Sequence, residues 1–175
     1  GMVAACEAAR AYSDGHDPLH LALFRYEIAQ VLDGGRRKDT RPVLLCSEDL
    51  CGHMPGRRGL KSYAAAPVLM QTLAQTIEQV RPGTEVQFFL STRAEPAWLA
   101  SCHAQHLQAS RITQGLPDYA HSHRHSARLG LIVDQVADLV APAQVHSAAL
   151  EDNQNRPLGP LDPILDLLRL PDDLR

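Results

Sequence analysis

The sequence predicts an α/β fold in which three layers, α/β/α, surround a parallel sheet. Short apolar runs alternate along the chain with longer segments whose apolar residues recur every three or four positions. Two of the short runs, VLLC at 43–46 and the FFL within 84–91, are continuously apolar, as strands buried on both faces are. Each pair of strand candidates is separated by at least one amphipathic helix, and a crossover of that length returns the chain in the same direction.

The elements follow in order. Residues 3–12 read as a helix closed by Asp14-Gly15, and 18–33 as a second helix with Leu21, Phe24, Ile28, Val31 and Leu32 on one face. Gly34-Gly35 ends it. The first strand, 43–46, leads into a polar, Gly-rich loop from Ser47 to Ser62. A helix over 64–80 carries Leu69, Leu73, Ile77 and Val80, and Arg81-Pro82-Gly83 turns the chain into a strand over 84–91. Helices over 95–108 and 117–140 are each entered through a proline, Pro96 and Pro117. The longer has Leu129, Ile132, Val136, Leu139 and Val140 as its apolar face. A third strand over 143–149 and a last helix over 159–169, with Leu161, Ile164, Leu165 and Leu168 inward, complete a single domain spanning 1–175.

Composition sets bounds on function. Apolar residues make up 45% and charged residues 21%, enough to bury a core. The net charge of -3 disfavours a strongly basic nucleic-acid binder. No apolar run approaches the ~18–20 residues needed to span a bilayer, so no membrane partner is expected. Four scattered cysteines, Cys6, Cys46, Cys51 and Cys102, suit a reduced, cytoplasmic protein, with Cys46 read as a buried thiol at a strand end. Fifteen arginines stand against two lysines, a skew that would suit an anion site because Arg binds phosphate in a two-pronged way, although a GC-rich genome is the plainer explanation.

In parallel sheets, ligands sit beyond the carboxyl ends of the strands, so chemistry is sought just after Cys46, Leu90 and Leu150. After the second strand comes Arg93, then a helix from Pro96, with Ser101 eight residues beyond the Arg. Both side chains can reach one phosphate, the first by charge-assisted bonds and the second by its hydroxyl. Glu48, just after the first strand, is a candidate general base. His121, His123 and His125 alternate, and only His121 and His125 share a helical face, too few ligands for a zinc site.

The segment FFLSTRAEPAWLASCHAQ, with its strand, Arg93, Pro-containing turn, Trp-Leu pair and Ser101, resembles the sulfotransferases that use 3'-phosphoadenosine 5'-phosphosulfate (PAPS). PVLLCSEDL, LPDYAHSHRHSARLGLIVDQVADLVAP, VHSAALEDN and LDPILDLLRLP agree with that family in order. The resemblance covers roughly residues 16–175. It implies a P-loop NTPase-like fold, PAPS as cofactor and sulfuryl transfer to a hydroxyl or amine of a small-molecule or carbohydrate acceptor. It gives Arg93 and Ser101 the cofactor's 3'-phosphate, and Glu48 the acceptor's proton. Homo-oligomerisation is left open.

The family also opens with a strand and a Lys-, Gly-, Ser- and Thr-containing phosphosulfate loop. No segment before residue 16 matches that loop, so the chain is expected to be N-terminally incomplete relative to the family. Gly56-Arg57-Arg58-Gly59-Leu60-Lys61-Ser62 is two residues short of a phosphate loop and reads as a mobile basic loop. The alternative is a non-catalytic anion- or nucleotide-binding module on the same fold. A weaker one is a metal-dependent or structural α/β protein using the histidine trio.

Overall fold

The computed structural model describes residues 1–34, 42–109 and 112–168. Helices dominate, beside a small parallel sheet. Helix α1 (Met2–Gly15) presents Ala5, Ala8 and Ala9, small enough for α2 (Pro18–Asp33) to approach closely and bury Phe24 and Ile28. His16, at φ 55, caps α1 with its backbone N–H on the Tyr12 carbonyl. Asp17 then caps α2, its carboxylate accepting from the Leu19 amide at 2.8 Å, with Pro18 in the first turn. Replacing Asp17 with Ala should cost about 1 kcal/mol in a urea melt, the usual value of such a cap. No loss there would mean that water replaces the cap fully.

Helix α3 (Ala66–Val80) buries Leu69, Leu73 and Ile77, the face read from the sequence. Strand β1 (Gln87–Thr92) leads into α4 (Glu95–Ala109), which packs on α5 (Leu116–His123). Helix α6 (Leu129–Val140) lies on α3 and on both strands, with Val136 and Val140 buried. Strand β2 (Gln144–Ala149) runs parallel to β1, with Phe88 opposite Val145 and Thr92 opposite Ala149. Helices α7 (Leu150–Asn153) and α8 (Asp162–Leu168) follow.

Three expectations need correction. Residues 43–46 form no strand: among the described residues the sheet consists of β1 and β2 alone. A run of apolar residues becomes a strand only where a neighbour supplies the ladder. Here Leu45 packs against the core, while Val43 is 78% and Leu44 56% exposed, and Cys46 is exposed rather than buried. The long helix over 117–140 is two helices. A tighter turn over Arg124–Ala127 and the non-helical Arg128 (ψ 54) separate α5 from α6. Tertiary contacts favour the break, because Ser126 turns inward to accept from Trp98 Nε1 at 3.3 Å. Finally, Leu161 lies in a single turn before α8 and is exposed, not inward. Residue 169, at the end of the expected last helix, and Gly35, in the turn after α2, fall outside the described residues.

Candidate functional site

The parallel pairing of β1 and β2 delivers two side chains to one end of the sheet. Arg93 leaves β1 and Glu151 lies one residue past the start of α7, directly after β2. Arg93 Nε donates to Glu151 Oε1 at 3.3 Å, and the Ala94 amide donates to Glu151 Oε2 at 3.1 Å. Glu151 is held below the usual carboxylate range by its own backbone amide, by the Ala94 amide and by Arg93. The contact engages only the Nε edge of the guanidinium. Among the described residues its two terminal nitrogens make no hydrogen bond.

Helix α4 forms the next wall. Ser101 is half-buried on it, beside the buried Cys102. Burial pushes the Cys102 thiol up to about 11, and the positive charge of Arg93 opposes that rise, so Arg93 lies within electrostatic reach of the Ser101-Cys102 turn. A thiol in that state is protonated at neutral pH and is a poor nucleophile. Trp98, one turn earlier, has its ring 5.9 Å from that of Tyr63.

Tyr63 lies beside that wall. Its hydroxyl is pushed up first by burial, then by the nearby Cys51, Cys102, Glu48 and Asp49. Tyr63 thus lies by the helix that carries Ser101, through Trp98, and the charge of Glu48 acts on its hydroxyl. Sequence reasoning missed this residue; its only signal was an aromatic at the end of a Gly-rich loop. Glu48 itself opens a short turn over Glu48–Cys51, entered through the Ser47 hydroxyl on the Asp49 amide at 3.2 Å. Glu48 is exposed, without the burial that general-base work draws on. Its neighbour Asp49 is engaged by Arg10 of α1.

The histidine trio is divided. Helix α5 ends at His123, so His125 is not one α-helical turn above His121. His123 stacks on Tyr119 at 4.0 Å between ring centroids, while His121 and His125 are exposed. Among the described residues no three His, Cys, Asp or Glu side chains are grouped to hold a metal ion. Nor is any helix there long and apolar enough to cross a membrane. Surface cavities of about 270 and 230 Å³ lie beside α2 and between α1 and residues 46–49, and neither is lined by Arg93, Ser101 or Glu48. No protein-family model, curated protein or solved structure matches the chain.

Proposed function

We propose that the protein is a sulfotransferase-like domain that binds the 3'-phosphate of a phosphorylated adenine nucleotide through Arg93 and Ser101. The observation that supports this reading is the posture of Arg93. It stands at the carboxyl end of two parallel strands, oriented by Glu151 through Nε, with its terminal nitrogens left for an anion. The reading includes the wider fold, with β1 and β2 as part of a P-loop NTPase-like α/β/α arrangement. With PAPS as donor, an acceptor oxygen or nitrogen attacks the sulfur. The bond from sulfur to the 5'-phosphate oxygen breaks, adenosine 3',5'-bisphosphate leaves, and the acceptor's proton passes to a base, the role given to Glu48.

The exposure of Glu48 favours a second reading, a non-catalytic nucleotide-binding module built on the same anion site. Calorimetry with adenosine 3',5'-bisphosphate tests what the two share. Binding is expected, and Arg93→Ala should weaken it by about 1.5–3 kcal/mol, the range for hydrogen bonds to a charged group. Absence of heat at millimolar ligand would remove the site from both. If the nucleotide binds, labelled-sulfate transfer from PAPS to hydroxyl and amine acceptors separates enzyme from module.

A further inference from the structure

Residues 52–60 form a basic loop seated at two points on different helices. At its start Gly52, at φ 88, lies so close to α1 that a Cβ would fall 2.6 Å from Ser13 Cβ. The next amide, of His53, donates to Ser13 Oγ at 2.9 Å. The His53 ring stands beside Asp14, which also takes Arg58 at 3.0 Å. At its middle, Pro55 is fully buried and Gly56, at φ 91, presses on the imidazole of His106 in α4. The Gly56 amide closes the loop on the Leu60 carbonyl at 2.8 Å. The second seat lies at the start of the basic segment 56–62, and the first precedes it.

His106 is 4% exposed, with Nδ1 2.8 Å from the Tyr119 hydroxyl. Among the described residues, the titratable and charged groups facing it include Tyr119 and His123 from α5, His103 from its own helix, and Arg57 from the loop. Those facing His53 are Asp14 and Arg10 from α1, and Arg57 and Arg58 from the loop. Arg57 therefore acts on both rings.

We propose that residues 52–60 are an acid-released clasp, closed while His53 and His106 are neutral and opened when they take up protons, with the helical core remaining folded. Each ring is seated where a cation is disfavoured. For His106 burial opposes the charge first, then His123, Arg57 and His103. For His53 burial again comes first. Asp14 works in the other direction, and Arg58, Arg10 and Arg57 add to the burial. Both groups thus titrate below their ordinary value of 6.5 in the closed loop. The linkage has one sign: closure is at full strength above about pH 6.5. It weakens below that, where the open loop binds protons that the closed loop refuses. In the tautomer whose Nδ1 accepts from the Tyr119 hydroxyl, protonation makes Nδ1 a donor, and that hydroxyl must then reorient.

Hydrogen exchange of the backbone amides, corrected for intrinsic rates, tests the clasp between pH 7.5 and 5.5. Protection of the His53, Gly56 and Leu60 amides should fall about tenfold per pH unit for each proton taken up, hence up to about a hundredfold for two. The amides of Leu69 and Leu73 in α3 should keep their protection. His106→Gln and His53→Gln, tested separately, should each lower the slope by about one proton, or tenfold per pH unit. Flat protection across the range overturns the proposal, as does loss in step with α3, which would mean global unfolding. Should His106→Gln not fold, an unchanged slope in His53→Gln also overturns it.

Discussion

Phe24→Ala should lower the unfolding free energy by about 3–5 kcal/mol, the range for emptying a buried phenylalanine site. Phe24 has no exposed surface and sits in the core shared by α1, α2 and α3. The alanines of α1 that admit it cannot swing inward to refill the space, so the cavity should persist. Domains of this kind are stable by about 5–15 kcal/mol, so the loss is a large share of the total. Leu23, on the same helix but 44% exposed, is the comparison. Leu23→Ala should change the urea midpoint little. Equal effects for the two would contradict the assignment of Phe24 to the core.

Gly56→Ala is expected to destabilise by about 2–6 kcal/mol, from two separate causes. A residue with a Cβ at φ 91 carries backbone strain of about 1–3 kcal/mol. The added methyl also overlaps His106, and overpacking of this kind costs typically about 1–3 kcal/mol. The ring cannot easily yield, because Tyr119 holds its Nδ1 and it is almost fully buried. Gly59 separates the two causes: it also has a positive φ, 79, but a Cβ there meets nothing within 4 Å. Gly59→Ala should show the backbone part alone in a denaturant melt. A Gly56→Ala variant no less stable than Gly59→Ala would show that the ring does not seat the loop.

Much of the local structure was legible in the sequence because it rests on short-range rules. Asp17-Pro18 announces the start of α2, and the spacing of Phe24 and Ile28, or of Leu69, Leu73 and Ile77, names the buried faces. The parallel relation of β1 and β2 followed from the helical content between them, and Arg93 and Glu151 then had to emerge together. The candidate site was legible to the same depth: the strand end locates Arg93. That Glu151 occupies its Nε edge, and that Tyr63 lies against Trp98, depends on side chains far apart in the chain.

The sequence by itself determined where helices α1 to α4 lie, the apolar faces of α2 and α3, and the direction of the two strands. These properties depend on residues within a few positions of one another and on connection length. The tertiary structure alone decided that VLLC stays outside the sheet, because a strand exists only with a hydrogen-bonded neighbour. It alone broke the long helix at Arg128, where drawing Ser126 to Trp98 outweighs the helical pattern of the sequence. And it alone seated Gly56 on His106, because a glycine's value there lies in a backbone-to-ring approach between residues fifty positions apart.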